Sequence, residues 1–291
     1  MSDPEATATR VSGTALLEVR NCSLRFGGID ALSEVSLRIE PGELVGLIGP
    51  NGAGKTSLFN ILTGVYRPTS GEILIEGRHS AGLPPHRISR LGMARTFQNI
   101  RLFSSLDVRM NVRTSFIARL HHGLIKSVRR GRSFRVEEEN ISKESGRLLD
   151  YFGLEEAATR PSRSLPYGDQ RRLEIVRALA AKPRLLLLDE PAAGMNPSEK
   201  EQLRILIARI RTEFGTAVLL VEHDMKVVMG ICERVIVLDQ GRVIASGSPS
   251  EIRADPKVIA AYLGEPHRED QAEKDPLERG AEATGVIGVN R

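Results

Sequence analysis

With 291 residues, 41 Lys+Arg against 37 Asp+Glu and a formal charge of only +4, the chain is long enough for a full hydrophobic core and too weakly basic to suggest a nucleic-acid partner. Cys22 and Cys232 stand alone, outside any metal-ligand spacing, which fits buried thiols in a reducing compartment and excludes a disulfide scaffold or a thiolate cage. No apolar run approaches the roughly 20 residues that cross a bilayer, and Met1 to Arg10 hold no apolar signal core, so a cytoplasmic chain is expected.

Residues 1–13 are small and polar and are expected to form a disordered tail. Strand signals follow at Leu17-Glu18-Val19 and at Val35 to Ile39, and Pro41-Gly42 turns the chain into Glu43 to Ile48, an apolar run typical of a buried parallel strand. Next come Gly49, Pro50, Asn51, Gly52, Ala53, Gly54, Lys55 and Thr56, which spell G-x-x-x-x-G-K-[ST], and then Ser57 to Leu62, which continues a helix. Such a loop binds a nucleoside triphosphate: its glycines let backbone N–H groups close around phosphates. The helix start adds partial positive charge, Lys55 reaches the outer phosphates, and the Thr56 hydroxyl is a ligand for Mg²⁺.

After a break at Arg67 to Gly71, Glu72 to Gly77 reads as another strand ending in a turn. From about 99 to 182 the pattern is helical, with a basic stretch at Lys126 to Arg135, including Arg129, Arg130 and Arg132, followed by Glu137-Glu138-Glu139; a solvated insertion is expected. Arg184 to Glu190 is a central strand whose carboxyl end carries Asp189 and Glu190, where ligands of open α/β sheets gather. Asp189 can hold Mg²⁺, and Glu190 can orient or deprotonate the water that attacks a γ-phosphate. A helix is predicted beyond, with Asn196 as its cap, Pro197 in its first turn, Glu199 three residues past the cap and Leu203, Leu206, Ile207 and Ile210 on one face. Ala217 to Val221 is a further strand ending near His223, a candidate contact of the γ-phosphate. Val235 to Leu238 and Val243 to Ala245 bracket a hairpin. Gln98, where the first α/β half hands over to the helical stretch, can touch both Mg²⁺ and the attacking water.

Leu165, Pro166, Tyr167, Gly168 and Asp169 open a helix that runs to Lys182, with Leu173, Val176 and Leu179 facing inward and an exposed, anion-attracting start. The order of Phe26, the phosphate loop, Gln98, residues 165–169, Asp189-Glu190 and His223 resembles the ATP-binding-cassette (ABC) family. The resemblance covers about residues 14 to 265. It implies an α/β P-loop NTPase core of ABC type, with a mixed sheet, flanking helices and an antiparallel β edge, built from 14–98 and 183–265. An α-helical subdomain at 99–182 would be inserted into that core, and 266–291 would form a flexible tail. It further implies that Phe26 stacks on adenine, that 49–57 (Ser57 included) hold ATP with Mg²⁺, and that 165–169 complete the ATP site of a second cassette.

Arg25-Phe26-Gly27-Gly28, Arg95-Thr96-Phe97-Gln98, Tyr167-Gly168-Asp169-Gln170, Ala261-Tyr262-Leu263-Gly264 and the long insert narrow the likeness. They resemble the larger cassette of branched-chain amino-acid importers; urea and amide importers use close relatives. Partners implied are a second cassette, two transmembrane permease subunits and, indirectly, a solute-binding protein, at the cytoplasmic face of the membrane. Against the family's usual Leu-Ser-Gly-Gly-Gln, Pro166 offers neither hydroxyl nor N–H, which leaves Gly168 and the helix dipole to carry the partner contact.

Overall fold

The computed structural model describes residues 15–117 and 132–263. The expected tails at 1–13 and 266–291, and Arg129 and Arg130 of the basic stretch, lie outside the described residues.

Two sheets organise the chain. β1 (Leu17–Phe26), β2 (Ile29–Ile39), β4 (Ser70–Ile75) and β5 (Arg78–His79) form an antiparallel sheet in the order β2-β1-β4-β5. β1 and β2 are longer than the apolar signal suggested. Their outer halves are polar, yet backbone pairing continues through the register shifts of the β1–β2 ladder, from Leu17 opposite Ile39 to Phe26 opposite Ile29.

The second sheet has the order β10 (Arg242–Gly247), β9 (Arg234–Asp239), β3 (Leu44–Ile48), β8 (Ala217–Val221), β7 (Leu185–Asp189), β6 (Met93–Arg95). Its pairs are parallel from β9 to β6, and β10 lies antiparallel on β9. Every residue of β3, β7 and β8 is buried, and alternate residues feed opposite cores. Val45, Leu47, Leu185, Leu187 and Leu219 join the core beneath the antiparallel sheet. Leu44, Ile48, Leu186, Leu188 and Leu220 join the core on the other face.

Helices cover the faces: α1 (Lys55–Leu62), α2 (Pro85–Arg90), α3 (Val108–Ile117), α4 (Arg132–Tyr151), α5 (Tyr167–Ala180), α6 (Pro197–Phe214), α7 (Met225–Ile231), α8 (Pro249–Ala254) and α9 (Pro256–Leu263). Helices α3, α4 and α5 pack on one another, with Val112, Phe116, Leu149, Phe152, Leu173 and Val176 buried between them. Helix α6 starts as the sequence indicates. Asn196 accepts from the Glu199 N–H, Glu199 reaches back to the Asn196 N–H, and Leu203, Leu206, Ile207 and Ile210 are buried. Helix α2 has no counterpart among the sequence signals, since only Ile88 of its six residues is buried. None of the described helices is long and apolar enough to cross a membrane.

Candidate active site

The phosphate loop leaves β3 at Gly49, where φ is 153° and a Cβ would stand 2.0 Å from the Leu238 carbonyl oxygen. At Gly54, φ is 102° and a Cβ would meet the Ala31 carbonyl at 2.7 Å. The loop therefore closes against β9 and β2, and glycine is required at both ends. Its outer side is open, with Asn51, Gly52 and Thr56 exposed, Ser57 half-buried, and Pro50 and Ala53 buried. From within, the buried Lys55 donates through Nζ to the carbonyls of Gly49 at 2.6 Å and Pro50 at 2.9 Å. No acidic residue stands in the first turn of α1, so the positive end of that helix is left for an anion.

β7 and β8 run parallel in register, Asp189 opposite Val221, so the residues just beyond them share one edge. The Glu190 N–H donates to the Val221 carbonyl at 2.9 Å, and Glu190 itself adopts φ 46°, in the left-handed region. Holding a non-glycine residue there costs on the order of 1–3 kcal/mol, a strain typical of functional sites. Gln98 Nε2 donates to Glu190 Oε2 at 3.1 Å, and His223 Nδ1 stands 3.9 Å from the same oxygen. Two candidates far apart along the chain, Gln98 and His223, thus approach the carboxylate of the third, Glu190.

Asp189, the candidate Mg²⁺ ligand, already has a cationic partner in this chain. It is buried, and its Oδ2 pairs with Arg95 Nη2 at 2.8 Å. Arg95 also donates to Asn60 Oδ1 at 2.7 Å and Thr63 Oγ1 at 3.2 Å, and its guanidinium lies against the rings of Phe59 and Phe97. One oxygen of Asp189 is therefore taken by a cation of this chain. The other Asp189 oxygen, the Thr56 hydroxyl and the side-chain amide oxygen of Gln98 are all of the donor type that suits a hard divalent cation completed by phosphate oxygens and water. Among the described residues no three His, Cys, Asp or Glu side chains cluster as a metal cage.

Next to His223, Glu222 is buried and accepts from the Ala192 N–H at 2.7 Å, while its Oε2 has no hydrogen-bond partner. Burial pushes its carboxyl above the usual carboxylate range. The sequence does not single out Arg95 or Glu222 as site residues: Arg95 appears only within Arg95-Thr96-Phe97-Gln98, and Glu222 stands between the end of a strand and His223. A charged residue within an apolar strand end was the available signal in both.

Phe26 is exposed, with Tyr66 edge-on at 5.1 Å between ring centroids, and Arg25 paired to Asp30 at 2.5 Å beside it. At the start of α5 the expectation of an open helix end is met only in part. Pro166 and Tyr167 are exposed, whereas Leu165 and Gly168 are buried; a Cβ on Gly168 would stand 3.0 Å from Glu199 Oε1. The outward residues at this start are therefore Pro166 and Tyr167, and Gly168, to which the resemblance gives a partner contact, lies beneath the cap of α6 in the single chain. Asp169 is ion-paired with Arg172, which offsets the negative charge it brings. The Tyr167 ring lies over Gly194, in the loop after Glu190.

The family described as ABC transporter matches residues 32–193. The chain belongs to this family. A second family, the branched-chain amino acid ATP-binding cassette transporter, matches residues 242–268. The cassette is 48% identical over 250 residues, 86% of its own length and 98% of the relative's, to the high-affinity branched-chain amino acid transport ATP-binding protein LivG of Escherichia coli (strain K12). The ADP conformation of MJ1267, an ATP-binding cassette of an ABC transporter, superposes with a TM-score of 0.74 at 27% identity, covering 86% of this chain and 99% of that one. A dimeric post-hydrolysis state of the cassette MJ0796, bound to ADP and Pi, superposes with a TM-score of 0.68 at 27% identity, covering 80% and 98%. The α/β cassette fold inferred from the sequence is thus the family's fold, and the chain is an ATPase of the transport class.

Proposed function

We propose that this cassette powers an importer of branched-chain amino acids. It would act as a peripheral subunit at the cytoplasmic face of the membrane, with a second cassette, two permease subunits and, indirectly, a solute-binding protein. The observation that carries the catalytic part is the meeting of Gln98 and His223 on Glu190, at the sheet edge beside the phosphate loop. Identity to LivG and the matching C-terminal segment support the solute class.

In this reading Phe26 stacks on adenine, the amides of 49–57 and Lys55 hold the phosphates, and Lys55 exchanges its loop carbonyls for phosphate oxygens. Thr56, Gln98 and Asp189 would hold Mg²⁺, which when bound neutralises phosphate charge. Glu190 accepts the proton of the attacking water, Gln98 fixes that water against the carboxylate, and His223 donates to the γ-phosphate. The start of α5, through Tyr167 and the helix dipole, closes over the nucleotide of the second cassette. ATP then draws the two together and hydrolysis releases them. Transmission to the permeases runs through a cavity of about 450 Å³ between the core and α5, lined among others by Ile88, Met93, Phe97, Arg101 and Arg177.

The test is reconstitution with the permeases in liposomes. Glu190→Gln is expected to lower hydrolysis by about 10²-fold or more with ATP affinity retained, and leucine uptake to stop with it. Unchanged turnover would reject Glu190 as the base, and uptake of urea in place of leucine would reject the solute.

A further inference from the structure

The segment that carries Gln98, residues 96–107, has almost no regular secondary structure, so its backbone groups must find partners elsewhere. Two side chains one turn apart on α5 supply them. Arg171, fully buried, donates through Nη1 to the Phe97 carbonyl at 2.7 Å and to Glu174 Oε2 at 2.8 Å. Through Nη2 it donates to the Gln98 carbonyl at 2.7 Å and to the Tyr167 hydroxyl at 3.3 Å. Glu174 Oε1 in turn accepts from the N–H groups of Phe97 at 3.2 Å and Arg101 at 3.3 Å. A buried guanidinium–carboxylate pair is a costly way merely to stabilise a helix, since apolar side chains of similar volume often do as well. Here its outer bonds end on Gln98, whose side chain touches Glu190, and on Tyr167, which faces outward over Gly194.

We propose that Arg171 and Glu174 are a positioning pair that binds the Gln98 segment to the start of α5. The placement of Gln98 at one nucleotide and the presentation of Tyr167 to the nucleotide of the second cassette then become one movement. The inference rests on the head-to-tail pairing of cassettes proposed above. It assigns to these two residues no contact with ATP; they act through Gln98 and Tyr167.

The experiment uses the full chain carrying Glu190→Gln, so that bound ATP persists, and reads ATP affinity by equilibrium binding and ATP-driven association by light scattering. Two further variants are built on that parent: Arg171→Met with Glu174→Met, which removes both charges together, and Arg171→Lys, which keeps the charge but not the fork that spans two carbonyls. The proposal predicts ATP affinity within twofold of the parent in both variants, association weakened at least tenfold in the double variant and at least fivefold in the lysine variant. It also predicts faster hydrogen exchange at the Phe97 and Arg101 amides of the double variant. A double variant that associates like the parent overturns it, as does full association of the lysine variant, which would reduce the pair to a buried charge. If the double variant fails to fold, as loss of ATP binding would show, the lysine variant decides alone. If the parent itself does not associate with ATP, the pairing of cassettes fails, and this inference fails with it.

Discussion

The sheet edge at the phosphate loop and the seam of buried ion pairs that runs from α1 past β6 to α5 place their functional groups by different means. At the edge, main-chain geometry does the positioning. β3, β7 and β8 end side by side, a helix start follows β3, and Glu190 and His223 emerge wherever the ladder stops. At the seam, buried arginines do it: Arg95 ties Asp189 to α1, and Arg171 ties the Gln98 segment to α5. The edge depends on register, which every buried residue of three strands enforces together; the seam depends on single ion pairs that cannot be broken one partner at a time without stranding a charge.

That contrast is broken most sharply at Arg95. Arg95→Met should destabilise the fold by about 3–5 kcal/mol, because Asp189 is left as an unpaired buried carboxylate. Denaturant unfolding would show it, and a loss below about 1 kcal/mol would mean that water already shares the pair. At the edge side, Asn196→Ala removes one cap from α6 and should cost only about 1 kcal/mol by the same measurement. A much larger loss would show that the loop carrying Gly194 depends on the cap as well.

The smallest expected effect is confined to a pH window. Because burial raises the Glu222 pKa in the folded state above its ordinary value, the folded chain binds more protons between those two values. The Glu222 contribution is therefore full at acidic pH and is lost as pH rises through the folded value. Glu222→Gln keeps an acceptor for the Ala192 N–H and should flatten this slope in unfolding curves taken across the window. An unchanged slope would place the titration elsewhere.

The same contrast explains what could be read from sequence. The phosphate loop, the strand ends at Asp189 and His223 and the Asn196 cap are local: the residues that define them lie within a few positions, and glycine, proline and apolar runs mark them. The seam is not local. Arg95 finds Asp189 across 94 residues and Arg171 finds Gln98 across 73, and no spacing rule announces either partnership. The open helix start expected at 165–169 failed in part for a related reason. The cover on Gly168 comes from Glu199, whose visible sequence role was to cap its own helix.

The central claim is that ATP lies between the phosphate loop of one cassette and the start of α5 of another, and cysteine crosslinking tests it most directly. Cys22 and Cys232 are both buried, with their thiols pushed up to about 11 and about 12, so introduced surface cysteines would react first. In the Glu190→Gln chain, Asn51→Cys and Tyr167→Cys should form an interchain disulfide with ATP present and not with ADP, and only when both cysteines are there. Equal crosslinking with ATP and ADP, or none with either, would contradict the account.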